Sequence, residues 1–165
     1  MIGIRFCIAA VRILTSSSRG FLPLGGIYAN GRGVAKDEAE AVKWNLLAAE
    51  QGNAHGQAAI GYSYLSGYRV QVDYLEAAKW LRKAAEQWNT DAQVHLGSMY
   101  RDGRGVEKDE TEAYKWFLLA EFRGGSNTQT LPTFKAPLTP QQQAEGEQRA
   151  REWRLQWEKK TQEPK

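Results

Sequence analysis

One spacing of 36 residues recurs through this chain and constrains its fold more than any other feature of the sequence. Four residue types return three times at that interval: Gly25, Gly61 and Gly97; Tyr28, Tyr64 and Tyr100; Asp37, Asp73 and Asp109; Trp44, Trp80 and Trp116. A period of this length is typical of arrays of stacked repeats, in which each unit packs chiefly against its neighbours. Because such arrays present extended surfaces, the period favours binding over catalysis.

Each repeat predicts two helices joined by a turn. In the third repeat, Ala92, Leu96, Met99 and Tyr100 follow the helical period, and the sequence Asp-Gly-Arg-Gly at 102–105 then interrupts it. The two glycines of this turn supply the positive φ angles that a tight connection needs. The same arrangement in all three repeats predicts three helix pairs.

The second helix of each repeat is predicted to begin at an aspartate cap. Asp109 would accept N–H groups of the first turn while Glu112 reaches back to the cap, and Asp37 and Asp73 carry the same signature. The ends of two of these helices are predicted at Gly52 and Gly124.

Each second helix also carries a tryptophan three residues after a repeated alanine. The small alanines let helices approach closely, and the tryptophan is predicted to fill the space beside them. If Trp80 is such a core residue, Trp80→Ala should cost roughly 3–5 kcal/mol of stability.

Several short motifs occur in a fixed order along the repeats. They are Leu-Gly-x-x-Tyr (with isoleucine first in repeat 2), Gly-x-Gly-Val (in repeats 1 and 3), the aspartate cap, Ala-x-x-Trp and Ala-Ala (in repeats 1 and 2). In these motifs the chain resembles the Sel-one-like repeat family, a subclass of the tetratricopeptide-like α-solenoids, over about residues 22–125. The period of 36 in place of 34 corresponds to a longer glycine loop.

The resemblance implies an all-α fold. It would be a right-handed α/α superhelix of three 36-residue helix-turn-helix repeats at about 22–53, 54–89 and 90–125, closed by a C-terminal capping helix. It also implies an adaptor role of the kind common in bacterial signalling, envelope or host-contact assemblies. The partner does not follow from the resemblance.

Both ends of the chain depart from the repeat. Residues 1–21 fit no repeat and are predicted to form an irregular arm or cap. Prolines mark a loop at 126–138, after which Thr139 and Pro140 are predicted to be the N-cap and first position of the capping helix at 139–160. Repeat arrays need such a cap to shield the last buried face.

Charge, cysteine content and hydropathy exclude several classes of function. Net charge is +3 over 165 residues with basic and acidic side chains interleaved, so we expect no nucleic-acid partner. The single cysteine, Cys7, excludes an internal disulfide and a cysteine-based metal cluster. No apolar run approaches the ~20 residues that span a bilayer, so we expect no membrane span. The compartment stays open, and the lack of a convincing signal peptide favours the cytoplasm over the periplasm or secretion.

No set of residues predicts a catalytic site, a metal site or a cofactor. The Gly-Arg-Gly-Val tracts lack a complete phosphate-loop motif and recur with the repeat, so they are predicted to be turns. His55 and His95 have no cysteine or H-E-x-x-H partner and are predicted to be ordinary surface or half-buried side chains. Some members of the resembled family are linked to β-lactam binding or hydrolysis, but no serine here precedes a lysine by three residues. We therefore predict a non-enzymatic chain, with a β-lactam-binding hydrolase and a structural, weakly self-associating module as the alternatives.

The predicted binding surface consists of first-helix positions that the repeat does not conserve from unit to unit, and of loop positions at which repeat 2 departs from the repeat. By analogy with tetratricopeptide arrays, the first helices line a concave face that would hold a peptide or partner protein. The alternative is a solvated face covered by the N-terminal arm or the last helix. In repeat 2, Arg69 and Trp88 stand where other repeats have glycine, and Trp88 is either an exposed anchor or a packing plug. The candidate partner-binding residues are Asn30, His55, Tyr62, Leu65, Trp88, Asp91, Ser98 and Arg101.

Overall fold

The computed structural model describes residues 22–31, 33, 35–123 and 138–162 of the chain. The arm predicted at 1–21, the helix end predicted at Gly124 and all but the last residue of the predicted loop lie outside these residues. Every regular element within the described ranges is a helix: α1 (Leu22–Asn30), α2 (Glu38–Glu50), α3 (Ala54–Ser66), α4 (Tyr74–Glu86), α5 (Thr90–Asp102), α6 (Glu110–Phe122) and α7 (Pro140–Gln162). Three helix pairs followed by one long helix confirm the predicted fold class.

Aspartate caps begin the second helix of every repeat, as predicted. The side chains of Asp37, Asp73 and Asp109 accept first-turn N–H groups at 2.9–3.0 Å. The predicted return contact, from the glutamate side chain to the aspartate N–H, is wrong. Each aspartate N–H donates instead to the carbonyl of the repeated tyrosine nine residues earlier, at 3.0–3.1 Å. Carbonyls in the last turn of a helix lack intrahelical donors, so the tyrosine carbonyl competes successfully for this N–H. Glu112 and its equivalents pair instead with the lysine three residues later.

A second set of polar residues joins each repeat to the next, and it was not predicted. Asn53 and Asn89, also 36 residues apart, cap α3 and α5 by accepting first-turn N–H groups. Four residues later, the buried Gln57 and Gln93 donate to carbonyls at the end of the preceding second helix, at 3.2 and 3.1 Å. The asparagine and the glutamine therefore determine how one helix pair follows another. These residues could have been recognised in the sequence, because the asparagine and the glutamine each recur after 36 residues in repeats 2 and 3.

Glycine lets the two helices of a pair approach closely. A Cβ built on Gly61 would lie 2.7 Å from Leu81 Cγ, and one on Gly97 would lie 2.9 Å from Phe117 Cε1. Leu81 and Phe117 are buried, so neither has room to move in a close-packed interior. This close approach explains the glycine of the Leu-Gly-x-x-Tyr motif.

The three repeated tryptophans differ in burial, which corrects the prediction for Trp80. Trp116 is 3% exposed, whereas Trp44 and Trp80 are only half-buried. The Trp80 ring lies beside the core with the Lys83 ammonium 4.3 Å from its centre, and Leu81 takes the fully buried position of α4. The cost of emptying a core aromatic site, roughly 3–5 kcal/mol, is therefore expected at Trp116 and not at Trp80.

The C-terminal helix begins with a complete capping box. The Gln142 N–H donates to Thr139 Oγ1 at 3.2 Å, and the Thr139 N–H donates to Gln142 Oε1 at 2.9 Å. The helix starts at Pro140, and the residue before the cap, Leu138, is buried beside Phe117 of α6. These contacts attach the start of α7 to the third repeat.

α7 runs parallel to α6 along the length of that helix. Near its start, Gly146 lies against Tyr114 of α6, and farther along it the Arg154 guanidinium lies 4.6 Å from the ring centre of Phe122. A fourth repeat would place an antiparallel helix there, because short connections join antiparallel neighbours. α7 therefore covers the array without continuing its geometry.

Candidate functional site

Seven of the eight candidate residues belong to the first helices of the repeats. We call this surface the first-helix face: Asn30 of α1; His55, Tyr62 and Leu65 of α3; Asp91, Ser98 and Arg101 of α5. Tyr62 is 50% exposed, and its ring lies 5.3 Å from the ring of His95 with a tilt of 46°. This contact joins α3 to α5, so one partly exposed aromatic surface spans repeats 2 and 3. His95 was not among the predicted binding residues.

The polar candidates form hydrogen bonds within the fold. The Asn30 amide donates to the Gly26 carbonyl at 2.9 Å, and the Ser98 hydroxyl donates to the Val94 carbonyl at 3.0 Å. The exposed His55 has its Nδ1 3.4 Å from the side-chain amide nitrogen of an asparagine cap in the next repeat. Asn30 and Ser98 therefore satisfy part of their bonding capacity inside their own helices.

The charges of the first-helix face lie at the two ends of α5, with Asp91 in its first turn and Arg101 in its last. Burial lowers the pKa of the His95 imidazole, and the Asp91 carboxylate opposes that shift only in part. Burial therefore favours the uncharged imidazole in the contact with Tyr62. Arg101 Nε lies 2.7 Å from Asp102 Oδ1, and this hydrogen bond lowers the pKa of the Asp102 carboxyl.

Trp88 is a packing plug and is not available as an exposed anchor. It is 6% exposed, and its ring lies 4.9 Å from Trp153 and 5.5 Å from Trp157, in edge-to-face arrangements. The Arg123 guanidinium lies 5.0 Å from its ring centre. Trp88 lies in the loop that follows α4, and α7 covers this loop. Trp88 therefore attaches α7 to repeat 2. Of the two alternatives left open for Trp88, the burial agrees with the packing plug, and the residues that bury it come from a helix far away in the sequence.

Trp88 and Arg69 have positive φ angles of 64° and 58°. The equivalent glycines have similar values: Gly52 has 84°, and Gly33 and Gly105 have 77° and 68°. The repeat therefore imposes a left-handed backbone at these two loop positions, which costs energy for any residue except glycine. Where glycine is replaced, the new side chain makes a contact between distant segments.

The contact of Arg69 is an exposed ion pair with the preceding repeat. Its Nη2 and Nε lie 2.6 and 2.9 Å from one oxygen of Glu38, and the other oxygen of that carboxylate pairs with Lys36 at 2.7 Å. Hydrogen bonds from Lys36 and Arg69 lower the pKa of Glu38 to about 2. Arg69 therefore links the loops of repeats 1 and 2 through an exposed ion pair.

A separate cleft of about 260 Å³ lies between α6 and α7. Its lining includes Leu118, Leu119, Ala150, Arg151 and Arg154, and no residue of the first-helix face lines it. In the ranges that the structure describes, no three histidine, cysteine, aspartate or glutamate side chains are grouped so as to hold a metal ion. None of the described helices is both long enough and apolar enough to cross a membrane.

Comparison with known proteins gives matches that agree with this geometry. A model described as Sel1 repeat matches residues 24–53, 54–87 and 90–121. A solved Sel1 repeat protein from Oxalobacter formigenes is 36% identical over 67% of this chain and 45% of its own, with a TM-score of 0.63. The chain is also similar to c5321, a protective antigen of uropathogenic Escherichia coli with an SLR fold. That match has 28% identity over 90% of this chain and 41% of the antigen, with a TM-score of 0.58. The chain spans less than half of either protein, and no curated protein matches it.

Proposed function

Because this chain belongs to the Sel1 repeat family, whose members generally act as protein–protein interaction modules, we propose that it binds a peptide or partner protein on its first-helix face. This is the surface expected to be concave by analogy with tetratricopeptide arrays. The role is that of a non-enzymatic adaptor, as is typical of proteins with this fold.

The observation that carries the proposal is the exposed ring of Tyr62. A half-exposed tyrosine in contact with His95 on the neighbouring helix offers apolar area together with a hydroxyl group. Tyrosine is enriched among the residues that contribute most to binding at protein interfaces, since it buries a large rigid surface and keeps a polar handle. The rings span two repeats, so a ligand that covers them contacts both α3 and α5.

The surroundings of this aromatic surface favour a peptide or protein ligand. Leu65, half-buried one turn after Tyr62, continues the apolar area along α3. Asp91 and Arg101 carry opposite charges at opposite ends of α5, which gives a ligand a preferred direction along the face. Grooves between helices that combine apolar and charged positions are common sites for helical or extended peptides.

The test compares two positions by photo-crosslinking. A photoreactive amino acid replaces Tyr62 in one sample and the exposed Leu155 of α7 in the other, and crosslinked proteins are identified by mass spectrometry. We expect one protein to be captured from position 62 and not from position 155. In an affinity measurement with that protein, the double substitution Tyr62→Ala with Arg101→Glu should weaken binding at least about tenfold, which corresponds to about 1.4 kcal/mol.

The controls separate loss of the surface from loss of the fold. Tyr62 is half-exposed and Arg101 lies at a helix end, so the double variant should keep the helical content of the unsubstituted chain. Its denaturation midpoint should fall only slightly, because Arg101→Glu removes the hydrogen bonds to Asp102 and places an acidic side chain at a helix C-terminus, an effect of about 1 kcal/mol. Leu155→Gln, at a similarly exposed site, should bind the captured protein normally. If the folded double variant binds that protein as tightly as the unsubstituted chain does, the first-helix face is not the binding site.

A further inference from the structure

The loop that enters α4, together with the first turn of that helix, differs in chemistry from its two equivalents. The aligned segments are RGVAKDEAE at 32–40, YRVQVDYLE at 68–76 and RGVEKDETE at 104–112. In the middle segment, three charged residues are replaced by tyrosine, valine and tyrosine, and a small residue is replaced by leucine. We call these four residues the loop patch: Tyr68, Val72, Tyr74 and Leu75.

The loop patch is exposed. Tyr68, Val72, Tyr74 and Leu75 are 38%, 46%, 40% and 63% accessible, and they lie within eight consecutive residues. Scattered apolar residues are normal on protein surfaces, but a contiguous apolar set commonly marks an interaction site. The location is the loop edge of the array, and none of the four residues belongs to α1, α3 or α5.

The fold does not need apolar residues at these four positions. The loops of repeats 1 and 3 use charged or small side chains there, and they form the same aspartate cap and the same hydrogen bond to the tyrosine carbonyl. The apolar position that all three loops share is valine, represented by Val70 and Val106, and Val106 packs against the core. Stability therefore explains the shared valine and leaves the loop patch unexplained.

Cationic side chains lie at both ends of the loop patch. Beside Tyr68, Lys36 and Arg69 both pair with the carboxylate of Glu38, and the Asp37 carboxylate also acts on Arg69. Beside Tyr74, the Arg104 guanidinium carbon lies 5.9 Å from the ring centre.

The nearest carboxylate to Arg104 is that of Asp102, 3.9 Å away, and this carboxylate already accepts two hydrogen bonds from Arg101. Two cations therefore share one carboxylate at this end as well. Between the two ends lies Asp73, whose carboxylate accepts the Glu76 N–H at the positive end of the α4 dipole.

We propose that the loop patch is a second docking surface, which binds a short segment of a partner protein with apolar side chains flanked by carboxylates. The apolar side chains of the segment would cover the valine, the leucine and the tyrosine rings, and its carboxylates would meet Arg104 and Arg69. A second copy of this chain fits less well. Four side chains provide far less than the ~800 Å² per partner of a stable interface, and two copies would bring positive ends together.

The test uses a variant that gives repeat 2 the residues of repeat 1. Val72→Lys, Tyr74→Glu and Leu75→Ala together reproduce the side chains at Lys36, Glu38 and Ala39, so the loop keeps a sequence that this fold already contains. Leu155→Gln removes an equally exposed apolar side chain elsewhere and serves as the matched control. Tyr62→Ala tests independence from the first-helix face.

The probes are two synthetic peptides, one with two leucines flanked by aspartates and its twin with lysines in place of the aspartates. We expect the acidic peptide to bind the unsubstituted chain at least about tenfold more tightly than the basic twin, as measured by fluorescence anisotropy. Its affinity should fall as salt is raised, and the tyrosine ring signals of the patch should shift in NMR spectra. The triple variant should lose this binding, whereas Leu155→Gln and Tyr62→Ala should retain it.

Three results would overturn the proposal. One is equal affinity for the two peptides or no binding of either peptide by the unsubstituted chain. Another is a triple variant that stays folded and binds the acidic peptide normally. The third is self-association in sedimentation experiments that the triple variant abolishes, because that result would assign the patch to a second copy. The Tyr62→Ala variant separates the two surfaces. If it loses binding of the acidic peptide, that peptide binds the first-helix face and not the loop patch.

Discussion

Repeats 2 and 3 place a tryptophan at the same position of their second helix, and the two side chains lie in different environments. Trp116 is buried, with the ring of Trp153 from α7 at 5.8 Å and its indole N–H donating to Glu112 at 3.1 Å. Trp80 is only half-buried, although both tryptophans have the equivalent lysine ammonium over the ring, Lys83 at 4.3 Å and Lys115 at 4.4 Å. The position within a repeat therefore specifies which way a side chain points, and the neighbouring elements decide whether it is buried.

The largest expected effect comes from removing each of these tryptophans in turn. Trp116→Ala should lower the free energy of unfolding by roughly 3–5 kcal/mol, because it empties a buried aromatic site that α7 covers. Trp80→Ala should cost less, since part of that ring already contacts solvent. Urea denaturation of both variants measures the difference. Equal losses would mean that α7 does not shield Trp116.

One loop position is glycine in repeat 3, Gly105, and arginine in repeat 2, Arg69. A Cβ on Gly105 would lie 2.0 Å from the backbone oxygen of Tyr74, and its φ is +68°. Gly105→Ala should therefore cost about 2–4 kcal/mol of stability, from the clash and the left-handed backbone together.

The matched control for this prediction is Arg69→Gly. It relieves the backbone at the equivalent position and removes only an exposed ion pair, so the urea midpoint should stay the same or rise. A clear fall in that midpoint would show that the Arg69–Glu38 contact contributes more than exposed pairs usually do.

Substitutions at Trp88 separate the free-energy cost of its left-handed backbone from the stability that its aromatic packing contributes. Trp88→Gly should destabilise by about 2–3 kcal/mol, because the loss of the aromatic cluster exceeds the relief of the positive φ angle. Trp88→Ala should be less stable than Trp88→Gly by about 1 kcal/mol, the reverse of the usual order of these residues in a helix. Thermal unfolding of the two variants checks the order. If alanine is the more stable replacement, the φ angle carries no strain.

The smallest expected effect concerns the aspartate cap of repeat 3, which pairs with an arginine of α7. Arg149 of α7 lies 3.1 Å from Asp109 Oδ2. Burial raises the pKa of Asp109, but the Glu112 N–H and the Arg149 guanidinium lower it, and the net shift is downward. A lowered pKa stabilises the fold above the unfolded value near 3.9, and this contribution is lost as pH falls through the lower folded value.

Arg149→Gln should therefore cost up to about 1 kcal/mol at pH 7, the range for a partly exposed ion pair. The difference from the unsubstituted chain should shrink below about pH 4, as the carboxylate becomes protonated in both states. Urea midpoints at several pH values measure it. A difference that is constant down to about pH 2 would assign the effect to packing of the arginine side chain and not to its charge.

Those parts of the fold that depend on local, repeated chemistry were predictable. The aspartate caps and the glycine turns involve residues a few positions apart, so the sequence pattern alone indicates them. The asparagine and glutamine pair of repeats 2 and 3 was equally local and could have been found from its period. The first-helix positions could be placed on one face by counting, but the contact between Tyr62 and His95 depends on how α3 lies against α5.

By itself, the sequence determined the number of repeats, the helix starts and the residues that must be small, because each rests on backbone geometry within one helix pair. Tertiary structure decided the burial of Trp116, the burial of Trp88 and the direction of α7. Each of these depends on elements that are distant along the chain and meet only in the folded array. Helical periodicity specifies the face on which a side chain lies, and packing decides what covers that face.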